Sequence, residues 1–186
     1  LENIDNEVNN VETPSNSGVE NKVDAIPFPH PDLETWRMNL KGIQYLHEPT
    51  RFLVTGSVDD VWVNPKGELI LVDYKATSSK EEITLEKEYR QSYKRQMEIY
   101  QWLFRKNGFN VSKTGYFVYC NADSSRENFM NRLDFNITLL SYEGNNSWVE
   151  ETLFKIQKCL ESPVIPDPSE KCDYCQYCAA VPKHLS

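Results

Sequence analysis

Two β-rich stretches joined by a turn limit this chain's fold more than any other feature. RFLVTGSVDDVWVN starts at Arg51, Pro65-Lys66-Gly67 supplies a turn, and GELILVDYKAT follows, so residues 51–76 predict a long β-hairpin. The second strand is an apolar run that ends Asp73-Tyr74-Lys75. Side chains two apart share a strand face, which points Asp73 and Lys75 the same way. Packing does not explain an acid and a base there, because burying either charge alone is costly. The plain alternative is an exposed ion pair worth at most ~1 kcal/mol. Asp59, fourteen residues upstream across the turn, weighs against it. Two carboxylates brought together by a hairpin repel one another unless a cation lies between them. Oxygen ligands select a hard ion, Mg²⁺ or Mn²⁺, which polarises a phosphodiester and lowers the pKa of bound water. Asp60 is adjacent to Asp59 on the opposite face, so one of the two is the ligand and the other a turn or salt-bridge residue.

Upstream, residues 1–25 are polar, acidic and rich in Asn, and read as a disordered lead. The alternating prolines of PFPHP (27–31) exclude regular structure there. Asp32 is placed to cap a short helix through Trp36, Met38 and Leu40, ending near Gly42. Downstream, a helix is predicted from about Thr84 to Asn107, stopped by Gly108. Its core face is Leu85, Tyr89, Tyr93, Met97, Tyr100 and Phe104. TGYFVYCN (114–121) and RLDFNITLLSY (132–142) read as strands, and a helix through Trp148, Leu153, Ile156 and Leu160 follows. The order β-β-α-β-β-α predicts a mixed α/β domain over 26–186 with a Cys-rich tail at 158–186.

With 186 residues and 39% apolar residues, the chain can bury an ordinary core. No apolar run approaches the ~20 residues of a membrane span and no secretory pattern opens the sequence, so the expected location is cytoplasmic. The net charge of −8 argues against a general nucleic-acid coat protein. Locally the balance reverses: 84–107 holds six basic and three acidic residues. Lys87, Arg90 and Lys94, with Arg105, fall on one stripe that suits phosphate tracking, although a solvated charged face is the plainer reading of each residue. Tyr93, Trp102 and Tyr116 offer stacking surfaces, but aromatic residues are more often core.

Three motifs together carry a resemblance: Gly56-Ser57-Val58-Asp59, Asp73-Tyr74-Lys75 on the next strand, and Gln96-Met97-Glu98-Ile99-Tyr100 on the following helix. Their order and spacing, across roughly 52–178, are similar to those of the RecB-like branch of the PD-(D/E)XK nucleases. The resemblance implies a restriction-endonuclease-like core, a central mixed sheet flanked by helices, that hydrolyses DNA phosphodiesters with Mg or Mn, an exonuclease mode being the expectation. Asp59, Asp73 and the Tyr74 carbonyl would bind metal, and Lys75 would position the attacking water. Gln96 and Tyr100 would brace the site. DNA is the implied partner, with a helicase or another protein of a DNA-processing complex beside it. Relatives of this branch often carry an upstream helical His as a further ligand. Here 58 residues precede Asp59 and neither His30 nor His47 lies in such a helix, so both read as surface residues. A sparse metal shell and low activity of the isolated chain are expected.

Some RecB-like nucleases hold an iron–sulfur cluster on one upstream and three C-terminal cysteines, and Cys172, Cys175 and Cys178 resemble the latter. No cysteine precedes Cys120, so Cys159 would be the substitute fourth ligand. A zinc site with Cys159 or His184 and free thiols are equally open on spacing alone. Two rivals to the nuclease reading remain: an inactive DNA-binding or assembly module of the same fold, and a zinc-stabilised interaction domain.

Overall fold

The apolar run Leu69–Val72 is buried at the centre of a five-stranded sheet. The computed structural model describes residues 23–123 and 133–181. The chain divides into two units, Leu1–Val149 and Glu150–Ser186. The first contains β1 (Ile26–Pro27), α1 (Leu33–Arg37), β2 (Ile43–His47), β3 (Phe52–Gly56), β4 (Asp60–Val63) and β5 (Leu69–Thr77). A 3₁₀ turn (Glu88–Arg90) then leads into α2 (Gln91–Lys106), followed by β6 (Thr114–Ala122) and β7 (Phe135–Glu143). The division falls within α3 (Trp148–Glu161), and α4 (Asp173–Ala180) lies in the second unit. Among the described residues no helix is long and apolar enough to cross a membrane.

The sheet order is β1-β4-β5-β6-β7, with β5 antiparallel to β4 and parallel to β6. A parallel neighbour requires a crossover connection, and α2 supplies it. The result is the expected α/β class, a mixed sheet with helices.

Several boundaries differ from expectation. Residues 51–63 are two strands, because the break at Ser57–Asp59 takes its hydrogen bonds from the α1 region. Val58 N–H donates to Trp36 O at 3.1 Å and the Ser57 hydroxyl to Met38 O at 2.8 Å. β3 instead pairs with β2 in a separate hairpin, and only β4 pairs with β5. The lead ends earlier than Ala25, since Val23 and Ala25 pack with Trp62, Ile70, Val72 and Val118; residues 1–22 lie outside the described residues. Pro27 ends the two-residue edge strand β1, where a missing amide donor is tolerated.

The long helix starts at Gln91, not Thr84. Ser79 and Asn121 exchange hydrogen bonds of 2.9 and 3.0 Å that tie the segment after β5 to the end of β6, and Thr84 O accepts from the Arg90 guanidinium rather than from a helical amide. Leu85 is buried ahead of the helix and Tyr89 is exposed, so the core face proper is Met97, Tyr100, Leu103 and Phe104. Gly108, at φ 87°, ends α2 as its freedom at positive φ predicts.

Glu98 anchors α2 to the chain beyond β7. Its buried carboxylate accepts from Tyr142 Oη and Trp148 Nε1, each at 2.6 Å, and from the Asn145 amide at 3.0 Å. Burial, followed by this bond to Glu98, pushes the Tyr142 phenol pKa upward. Replacing Glu98 by Ala removes one acceptor from three donors and should cost about 3 kcal/mol of stability, measured by urea unfolding.

Candidate active site

The site forms where β5 outlasts β4. The last β4–β5 pair is Asp60 with Val72, so Asp59 stands just beyond the ladder and level with Asp73. Asp59 is exposed and its Oδ2 accepts from the Tyr74 amide at 2.8 Å. That amide faces β4's side of the strand, where no β4 residue remains to pair it. Asp73 is 3% exposed. Its Oδ2 lies 2.5 Å from Lys75 Nζ in an ion pair. Burial raises the Asp73 pKa; Lys75 opposes the shift and Asp59 adds to it. The Lys75 ammonium also sits 4.6 Å from the centre of the Tyr93 ring.

α2 closes the site from behind. Gln96 Nε2 donates to Tyr100 Oη at 2.7 Å, one helical turn apart. Burial raises the pKa of the Tyr100 phenol, and the charges of Asp73 and Asp59 raise it further. Gly56 makes room for it, since a Cβ there would lie 2.8 Å from the Tyr100 ring. The Gly of the Gly-Ser-Val-Asp motif is thus a packing requirement of the Tyr two motifs later.

Asp60 has a different environment from its neighbour. It is fully buried and accepts from Arg37 Nη2 and the Val61 amide at 2.8 Å, Tyr74 Oη at 3.1 Å and Trp62 Nε1 at 3.2 Å. Those donors occupy the lone pairs a metal would need. Arg37 also donates through Nε to Asp59 O at 2.9 Å. Sequence reasoning missed Arg37, because nothing local marks a bond spanning more than twenty residues.

The basic stripe does not form one solvent face. Arg90 is 2% exposed, Lys87 pairs with Glu81, and Lys94 lies 3.5 Å from Glu86. Arg105 donates to Val111 O and Ser112 O at 3.2 and 3.0 Å. Among the named aromatic residues, Trp102 is buried and Tyr116 stacks on Trp62. The surface reading of both histidines is corrected. His47 is buried at the end of β2, with Nδ1 2.8 Å from Thr50 Oγ1, and His30 is stacked between Phe28 and Trp36.

In the second unit, Cys172 caps α4, its Sγ accepting from the Cys175 amide at 3.4 Å. This bond and a further amide lower the Cys172 thiol pKa, as helix N-termini do. Cys159 and Cys178 are exposed. Among the described residues no three His, Cys, Asp or Glu side chains group as a metal-ligand set; His184 lies outside the described residues.

The donor set at the strand end suits a divalent ion: all-oxygen ligands, and two carboxylates level with one another across the strand end, of which Asp73 is buried. Asp59, Asp73 and the Tyr74 carbonyl would hold it, and it would supply Lewis-acid polarisation of a phosphodiester.

A mixed sheet offering two carboxylates and a lysine at one strand end has the architecture of a restriction-endonuclease-like fold. The family model of the PD-(D/E)XK nuclease superfamily matches residues 7–180, and the chain belongs to that superfamily. A solved structure titled "Crystal structure of SSO0001" is similar at 21% identity and a TM-score of 0.36, covering 73% of this chain and 54% of the other. The chain thus spans about half that protein's length. No curated protein matches the sequence.

The two adjacent aspartates should separate cleanly by experiment. Asp60→Ala deprives Arg37 and three other donors of their acceptor and should cost about 3–5 kcal/mol in thermal or urea unfolding. Asp59→Ala, at an exposed position, should change stability by less than about 1 kcal/mol.

Proposed function

We propose that this chain is a Mg²⁺- or Mn²⁺-dependent deoxyribonuclease of the RecB-like branch, acting as an exonuclease. The observation that carries the reading is the convergence of Asp59, Asp73 and Lys75 at one strand end, with the Gln96–Tyr100 pair behind the carboxylates. Asp59 and Asp73 would hold the ion, which would polarise the phosphodiester. Lys75 would orient the attacking water, and Tyr100, braced by Gln96, would donate into the site. Lys87 and Lys94 would exchange their acidic partners for backbone phosphates. A helicase or related DNA-processing protein is the proposed companion, and the cytoplasm the proposed location.

Degradation of labelled single- and double-stranded DNA with Mg²⁺, Mn²⁺ or EDTA tests this directly. Asp73→Asn and Lys75→Ala should each lower cleavage by about 100-fold or more while leaving the fold intact. Two carboxylates and a carbonyl form a sparse shell, so Mn²⁺ should support more turnover than Mg²⁺. DNA binding without cleavage under any metal would favour the inactive-module reading instead.

For Cys159, Cys172, Cys175 and Cys178 an iron–sulfur cluster, a zinc site and free thiols are three equal readings, which metal content separates. Protein purified without oxygen should be brown for an iron–sulfur cluster, or colourless with about one zinc per chain by elemental analysis. Neither metal at meaningful occupancy would leave free thiols.

A further inference from the structure

Among the described residues, two buried donors without a hydrogen-bond partner, Tyr119 Oη and Arg90 Nε, lie in one neighbourhood beside the Asp73–Lys75 ion pair. Tyr119 pairs with Lys75 across the parallel β5–β6 ladder, which puts its side chain on the face that carries Asp73 and Lys75. The Arg90 guanidinium lies 5.1 Å from the centre of the Tyr119 ring and 5.2 Å from that of Tyr89. Exposure is 2% for Arg90, 3% for Tyr119 and 3% for Asp73, so all three are buried.

Arg90 is a buried cation whose charge is only partly compensated. One Nη donates to the Thr84 carbonyl and two ring faces flank it, but no described carboxylate forms an ion pair with it. Glu81 interacts with it at longer range and is itself engaged by Lys87. Ring faces and one carbonyl offset less of a buried charge than an anion does. Burial pushes the Tyr119 phenol pKa up, against the opposing effect of Arg90. The cluster therefore presents donors without an acceptor, next to a carboxylate pair suited to a metal ion.

We propose that Arg90 and Tyr119 form an anion subsite beside Asp73 that takes a non-bridging oxygen of the phosphodiester next to the one cleaved. The guanidinium fork suits phosphate oxygens and the phenol adds a third donor. This rests on the nuclease reading and assigns Arg90 to the floor of the site instead of an outer basic stripe.

The test uses short single-stranded oligonucleotides carrying one neutral methylphosphonate at successive positions. Affinity is measured by fluorescence anisotropy in EDTA, so no cleavage is needed. For the full chain, one position should weaken binding about tenfold, and that position should cost Arg90→Gln nothing further. Arg90→Gln should also lower the slope of log K against log salt by about 0.7 of a unit, Arg90→Lys should retain the slope, and Tyr119→Phe should bind a few-fold more weakly with the slope unchanged. If every methylphosphonate costs Arg90→Gln what it costs the native chain, Arg90 is only structural and the proposal is overturned. Should Arg90→Gln fail to fold by circular dichroism, Tyr119→Phe decides alone, since it removes a single oxygen; native affinity and a full penalty at every position would overturn the subsite. Cleavage assays separate the two readings. A chain that cleaves without this coupling loses only the subsite, and one that shows the coupling but cleaves with no metal loses only the nuclease assignment.

Discussion

The contact between Asp60 and Arg37 sets where the catalytic strand end begins. A fully buried carboxylate is tolerable only when its lone pairs are occupied, and Asp60 fills them with donors from α1, its own strand and β5. That network holds β4 at Asp60, and Arg37 grips the Asp59 carbonyl at the same time. The chain just ahead of β4 is therefore diverted from the ladder, and Asp59 is left exposed opposite Asp73. A buried acid thus positions the exposed one beside it.

The second constraint is the parallel pairing of β5 with β6. Because a parallel strand must be reached by a crossover, α2 lies across the sheet and delivers Tyr100 and Gln96 behind the two carboxylates. The approach is close enough that position 56 must be Gly. Glu98, on the same helix, ties the crossover to the chain after β7, so the helix has little freedom to shift its Tyr relative to the aspartates.

Electrostatics divides the site's polar groups into satisfied and waiting ones. Asp60 and Glu98 are buried and each receives at least three hydrogen bonds, which suits permanent scaffolding. Tyr119 and Arg90 are equally buried and each keeps an atom without such a bond, while Asp73 is met by Lys75 alone. Leaving buried polar groups in that state is costly.

The strand pattern, the helix after it and the chemistry of Asp59, Asp73 and Lys75 were legible in the chain because they are local: a period of two, a period of 3.6, and acid and base two residues apart on one strand face. The Gln96–Tyr100 pair was legible for the same reason, as neighbours one turn apart. What only the tertiary structure decided was every choice between alternatives that look alike in one dimension. Asp59 and Asp60 differ in role because α1 brings Arg37 to one of them. Ser57 and Val58 leave the strand because Trp36 and Met38 offer their backbone better partners. The start of α2 moved to Gln91 because Asn121 holds Ser79, and Arg90 turned inward because Thr84 and Tyr119 were there to meet it. A sequence states which groups carry charge and how often the chain repeats. Which of those charges are solvated, paired or left waiting depends on contacts between residues far apart in the chain, and only folding creates those contacts.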